Sequence, residues 1–322
     1  MLTIKKNLLL LFIFIIYQIN LIENYPIFPT ILTVSIPIFE KNSNLKNVFS
    51  ESRVENNYLR WLQASGADLI AVHPWTSHEE IDYLLTKVNG ILFQGNPDDL
   101  DTSSSYYKII KHIYEKTIEL NDSGIKMPII SIGDDVSLLC SIIAEDNTSI
   151  VTQSSLINEP SNINLFLSVD KTIIFNEFEQ NDMKPLEEAN ILPNNLNRFI
   201  SVKSFISDFH LSQKFNIVGT SRTEDGKEYV SVAEGKKYPI IMITFHPEYV
   251  VFEQSSKLIV PETLQAVYTS RFIGNGFVFF GRRNVINEFP VEEKQKYSYI
   301  DPYGEFPKII NGRFNFLFKN FK

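Results

Sequence analysis

A single cysteine, Cys140, stands in the whole chain, so no disulfide can form within it. An oxidising compartment would therefore find the fold without covalent staples. Basic excess is missing too: the formal net charge is −8, which excludes a basic nucleic-acid-binding surface as the expected character of the protein. The histidines at His73, His78 and His112 lack metal-ligand spacing, so neither a metal nor a cofactor is expected. No glycine-rich phosphate loop is present. Gly274-Asn275-Gly276 falls inside a helical pattern and reads as a kink or a helix end. No internal repeat is visible, and the Asn-rich stretch Asn190–Asn197 reads as a loop.

The one marked apolar run is short. Lys5 and Lys6 precede Leu8–Ile16, a basic region before an apolar segment, which is the pattern of a secretory signal. It falls short of the roughly 20 residues that span a bilayer, so no stable membrane span is expected. Cleavage is expected between Tyr17 and Tyr25. This gives a signal peptide over 1–25 and a single α/β domain over 26–322, in a secreted protein or one delivered to the lysosomal or vacuolar lumen. In that setting Asn121-Asp122-Ser123 and Asn147-Thr148-Ser149 become N-glycosylation sequons.

The rest of the chain alternates. Thr30–Ile36, Ala67–Val72, Gly90–Phe93 and Pro128–Ile132 read as strands, nearly all apolar. Between them, Asn57–Ser65, His78–Lys87 and Ser104–Glu119 carry helical periodicity, the second opened by Ser77 with Glu79 and Glu80 in its first turn. This is the order of a parallel sheet covered on both faces, whose ligands lie beyond the strand C-termini. Later strands are expected at Phe199–Phe205, Phe215–Ser221, Glu228–Ala233 and Ile240–Thr244, with a hairpin turn at Glu224–Lys227 and a final helix over Pro261–Phe280. The tail's Tyr297, Tyr299 and Tyr303 read as packing residues. One turn stands out. Met127–Ile132 stops at Gly133-Asp134-Asp135 and a helix follows, which is the geometry that holds a nucleophile at its apex, yet the apex residue has no side chain.

Asn57–Ala67, Val88–Asn96, Met127–Gly133, Tyr238-Pro239-Ile240 and Phe245-His246-Pro247-Glu248, in that order and spacing, resemble the gamma-glutamyl hydrolases. These are the folate-polyglutamate-trimming branch of the class I glutamine-amidotransferase-like fold, and the similarity runs from about Pro29 to Lys322. The resemblance implies a central, mostly parallel sheet with helices on both faces and added antiparallel strands in the second half. It also implies a homodimer, and a thiolate attack on a gamma-linked amide. His246 matches the base and Glu248 the residue that orients it; on an extended segment their side chains would point the same way. Gly95-Asn96 and Asp134 match the oxyanion-holding backbone. Asn197 stands at a substrate-holding position, with Arg198 and Lys203 the nearest basic residues.

The nucleophile itself is absent: Gly133 stands where the family has cysteine. Cys140, seven residues on in an apolar stretch, reads as core. Ser131 would reach the apex only if the alignment slipped by two. Asp134 and Asp135 read as helix N-terminal charges. The implied protein is a catalytically inactive homologue that binds a gamma-glutamyl or related carboxylated ligand. The alternatives are an active hydrolase using an unusual group, and an interaction protein that uses only the scaffold. Basic side chains facing Gly95 would favour a ligand, and a filled cleft would favour a scaffold. A cysteine placed at 133 would be expected to put its sulfur about 3–4 Å from a His246 ring nitrogen.

Overall fold

The structure is a computed structural model that describes residues 28–38, 51–95, 100–168, 171–175, 178, 180–253, 256–284, 289–297, 308–310 and 313–319. The expected signal peptide, Asn96, Tyr299 and Tyr303 lie outside these residues.

The first half builds the sheet. Strands β1 (Thr30–Val34) and β2 (Ile36–Ile38) are followed by β3 (Glu51–Glu55), which runs directly into α1 (Asn56–Ala64). Then β4 (Asp68–Val72), α2 (His78–Leu85), β5 (Gly90–Phe93), α3 (Ser105–Asp122), β6 (Ile129–Ile132) and α4 (Asp135–Ile143) alternate. The second half supplies β7 (Val151–Ile157), β8 (Asn164–Leu165), α5 (Gln180–Glu188) and β9 (Leu196–Ile200). Next come α6 (Val202–Ser207), α7 (Phe209–Lys214), β10 (Phe215–Arg222), β11 (Glu228–Gly235) and β12 (Ile240–Ile243). The chain continues through α8 (Tyr249–Phe252), α9 (Leu264–Arg283), α10 (Val291–Tyr297), β13 (Lys308–Ile310) and β14 (Arg313–Lys319).

Eight strands form one sheet in the order β4-β1-β5-β6-β12-β11-β10-β8. The first five run parallel, and β11, β10 and β8 add to the β12 edge antiparallel. The expected α/β architecture, parallel in the first half and extended by antiparallel strands, is the one the chain forms. Alternate side chains of the buried strands feed two cores. Ile129 and Met242 face one side with α2, α3 and α4, where Ile81, Leu84, Ile110 and Leu138 pack. Ile130, Ile132, Ile241 and Ile243 face the other with α1 and α9, where Trp61, Leu62, Ile273 and Phe277 pack.

The helix starts follow capping chemistry. Ser77 accepts from the Glu80 N–H at 3.2 Å, and Ser104 from that of Tyr107 at 3.1 Å. The same chemistry corrects one expected strand. Phe199–Phe205 does not stay extended: β9 ends at Ile200 because Ser201 accepts from the Ser204 N–H at 3.0 Å and starts α6. A second correction concerns Gly274. It does not end α9, which runs over 20 residues. A Cβ there would lie 2.5 Å from Ser65 Oγ and 3.1 Å from the Trp61 ring, so the glycine lets α9 approach α1. The tail is partly sheet: β14 pairs antiparallel with β3, in a second sheet ordered β13-β14-β3-β2. Tyr297 packs as expected, its hydroxyl donating to Glu80 at 2.7 Å.

His73, just past β4, is half-buried and stacks on Trp75, with Nδ1 2.9 Å from Ser35 Oγ and 3.2 Å from Ser52 Oγ. Burial lowers its pKa to about 4, with Glu80 pulling weakly the other way. An unfolded histidine titrates near 6.5. The unfolded chain thus binds the extra proton first, and stability falls as pH drops from about 6.5 to about 4, by about 3 kcal/mol in all. Urea midpoints measured from neutral pH down through this window should decline less for His73→Gln than for the parent. Parallel declines would remove His73 from the account. Separately, Gly274→Ala should cost about 1–3 kcal/mol in the same assay through overpacking.

Candidate functional site

The site gathers at the C-terminal ends of β5, β6 and β12, where ligands of parallel sheets sit. The Gly133 N–H extends the β6–β12 ladder, donating to the Ile243 carbonyl at 2.9 Å. Its φ is +65°, in the left-handed region that glycine enters without strain. Gly95, after β5, is also left-handed at +84°, and a Cβ on it would lie 3.1 Å from the Ile132 carbonyl and 3.8 Å from the Asp134 nitrogen. The two glycine turns therefore lie back to back, as the sequence pattern implied.

His246 comes from the other neighbour. Past β12, its N–H donates to the Pro193 carbonyl at 2.8 Å, and its ring stacks on Tyr249 at 4.3 Å and 4°. Nδ1 is 2.8 Å from Glu248 Oε1, and Tyr58 Oη lies 3.4 Å from the same nitrogen. Glu248 is fully buried and His246 nearly so. The pairing forms, but not on an extended segment. His246-Pro247-Glu248 is a turn entering α8, and Glu248 is helical at φ −68° and ψ −17°. The carboxylate fixes the tautomer with the proton on Nδ1, leaving the Nε2 lone pair free. Nε2 is buried without a hydrogen-bond partner, as is Glu248 Oε2. Burial, then the nearby Glu248 charge, raises the Tyr58 pKa well above its usual value and keeps its phenol protonated.

The imidazole faces Gly133 at close range. A Cβ built on Gly133 would lie 2.6 Å from His246 Cε1 and 2.7 Å from Nε2. The ring occupies the space a nucleophile's side chain would need. The expectation that a cysteine sulfur would sit at hydrogen-bonding distance is thereby corrected: the Cβ alone collides with the imidazole, and the ring would have to shift.

Asp134 and Asp135 stand at the N-terminus of α4, as expected, and are anchors as well. The Asp134 side chain makes no capping bond. Its carboxylate accepts from Asn197 N–H at 3.1 Å, Asn197 Nδ2 at 3.0 Å and Arg198 N–H at 3.3 Å, tying α4 to β9. Its pKa is raised by burial, which outweighs the opposing charge of Arg198 and the bonds from Asn197. Asp135 accepts from the Tyr106 hydroxyl at 2.8 Å and ties α4 to α3. Gln94 is buried as well, donating to the Val34 carbonyl at 2.8 Å and accepting from Glu55 N–H at 3.1 Å.

The other candidates fall away from the apex. Cys140 Sγ lies 3.6 Å from Met242 Sδ in the apolar core, and burial pushes its thiol pKa far up. Ser131 is buried inside β6, two residues before the turn. Lys203 is exposed on α6. Tyr58, Tyr106 and Tyr249 were missed as site residues. Tyr58 was legible only as part of an amphipathic helix, and Tyr249 as the residue after His-Pro-Glu. Among the described residues, no group of three or more His, Cys, Asp or Glu is placed to hold a metal ion.

Comparison with known proteins agrees with this geometry. No family model matches the chain. It is 27% identical over 279 residues to the gamma-glutamyl hydrolase of Glycine max, covering 86% of this chain and 80% of that one. It is 24% identical over 275 residues to gamma-glutamyl hydrolase B of Dictyostelium discoideum, covering 85% and 78%. With the gamma-glutamyl hydrolase of Homo sapiens it shares 27% identity over 248 residues, covering 76% and 75%. A solved structure from Thermoplasma acidophilum, a putative GMP synthase component, superposes with TM-score 0.47 and 16% identity over 79% of this chain and 95% of that one. Sheet order defines an α/β protein with a mostly parallel central sheet extended by antiparallel strands. In sequence the chain is similar to the gamma-glutamyl hydrolases.

Removing the Asp134 carboxylate leaves the Asn197 and Arg198 N–H groups without that acceptor. Asp134→Ala should therefore destabilise the protein by about 1–3 kcal/mol in urea unfolding. A loss no larger than that of an exposed carboxylate, such as Glu224→Ala, would show that the anchor is idle.

Proposed function

We propose that this gamma-glutamyl-hydrolase-like protein does not hydrolyse gamma-glutamyl amides. The observation that supports this is the left-handed Gly133 with the His246 ring in its Cβ space. The family reaction needs a thiol between the elbow and the base. Here the His246–Glu248 pair keeps a base poised, but the apex offers no proton to take and no atom to attack. Loss of the nucleophile from a comparable triad lowers turnover by about a million-fold. That corresponds to about 8 kcal/mol of barrier, beyond what a lone base recovers. We place the protein in a secretory or lysosomal lumen as residues 26–322 after cleavage of its signal peptide. Among the described residues, no helix is long and apolar enough to cross a membrane.

The carboxylated-ligand reading finds little support at Asn197 and Arg198. Asp134, the chain's own carboxylate, already takes the Asn197 amide and both backbone N–H groups. An incoming carboxylate would have to displace it and would meet its charge. The filled space at Gly133 favours a scaffold role over ligand capture at this point.

Purified protein incubated with a polyglutamyl folate should release glutamate no faster than His246→Ala. A clear rate that disappears in Cys140→Ser would overturn the reading and make Cys140 the nucleophile. Gly133→Cys should restore no turnover. It should also destabilise the fold by about 2–5 kcal/mol, from left-handed strain plus overpacking against His246.

A further inference from the structure

The two sequons are the sequence features that the site does not absorb, and the structure treats them differently. Asn121 lies in the last turn of α3. Its Nδ2 donates to the Thr117 carbonyl at 2.9 Å and the Met127 carbonyl at 3.0 Å, and its Oδ1 accepts from Met127 N–H at 3.3 Å. Both amide hydrogens are used. An N-linked sugar replaces one of them, so a modified Asn121 would lose a bond that fixes the turn into β6.

Asn147 follows α4 and is exposed. Its Oδ1 turns back to accept from Ser149 N–H at 3.1 Å and Ser149 Oγ at 2.6 Å. The amide nitrogen is thereby directed away from the turn. The preceding residues, Glu145 and Asp146, are left-handed at φ 57° and 62°. This uncommon backbone is held where Lys111 Nζ and Tyr107 Oη bind the Asp146 carboxylate at 2.6 and 3.0 Å. A sugar on Asn147 breaks none of these bonds.

We propose that Asn147 carries an N-linked glycan in the folded protein and that Asn121 does not. The proposal rests on the reading of the N-terminus as a secretory signal. In the reaction, Asn147 Nδ2 forms a bond to the anomeric carbon of an oligosaccharide carried on a polyisoprenyl diphosphate. The bond from that carbon to the phosphate oxygen breaks, the lipid diphosphate leaves, and one Nδ2 proton is released. The nine residues of α4 separate the Gly133 turn from the start of this loop by about 13 Å.

The test is expression of the full chain in secreting eukaryotic cells, once with its own N-terminus and once behind a leader known to direct secretion. Secreted protein should show a glycosidase-sensitive mobility shift. Enzymatic release in heavy-oxygen water should label residue 147 as Asp and leave Asn121 unlabelled. The shift should vanish in Asn147→Gln and in Ser149→Ala, persist in Ser149→Thr, and be unchanged in Asn121→Gln. A shift with the foreign leader alone would sink the signal-peptide reading and leave the site standing. Secreted protein unmodified at Asn147, or modified at Asn121, would overturn the proposal.

Discussion

Much of the site's arrangement follows from one contact, the His246 ring against the Cα of Gly133. A strand-to-helix elbow aims its apex residue into the cleft by forcing the backbone into an unusual region. With a side chain at the apex, that strain is part of the catalytic device. Here the apex is glycine at φ +65°, and the strain is gone. The imidazole then closes to within 2.7 Å of where a Cβ would be. It is held there by stacking on Tyr249 and by Glu248 on its far side. Elbow and base have packed into each other, so the site is closed by van der Waals contact as well as by a missing sulfur.

The carboxylates after the elbow extend the same logic. A negative charge beside the oxyanion-holding backbone opposes acyl transfer, because the developing charge there is also negative. Asp134 is spent on β9 and Asp135 on α3, so α4 is stitched to its neighbours on two sides. Gln94 is used in the same way, bridging β1 and the β3–α1 junction. Residues around the candidate site point inward and make structure.

What the sequence disclosed follows from this. Periodicity and caps made the parallel half legible, since the apolar runs of β1, β4, β5 and β6 fit only a sheet covered on both faces. The elbow at Gly133 was legible from the strand-to-helix pattern, and the His246–Glu248 partnership from the family resemblance. The geometry of that partnership was not, because a Pro-bearing turn and an extended run place residues two apart in similar reach. The strand expected to continue through Phe205 failed at Ser201, where a hydroxyl cap competes with extended backbone. Gly274 was misread because a local pattern cannot show that Trp61 and Ser65 lie across from it. The inward use of Asp134 was invisible for the same reason: Asn197 is 63 residues away.

The energetics of the leftover dyad remain to be reconciled with a closed site. His246 Nε2 and Glu248 Oε2 are buried without partners, and an unsatisfied buried polar atom costs about 1–3 kcal/mol. A core selected for stability alone would have replaced such a pair with apolar side chains of similar volume, often at no loss. Several local bonds offset the cost. Glu248 accepts a hydrogen bond from Nδ1, the His246 backbone N–H donates to the Pro193 carbonyl, and Ser270 Oγ donates to the Pro247 carbonyl at 2.5 Å. The turn is thus fixed through its backbone as much as through its side chains. Replacing the imidazole alone would leave Glu248 as a buried carboxylate beside the Tyr58 hydroxyl, in a worse position than before. The dyad is locked in by its own pairing: each member makes the other expensive to remove, whether or not a reaction uses it.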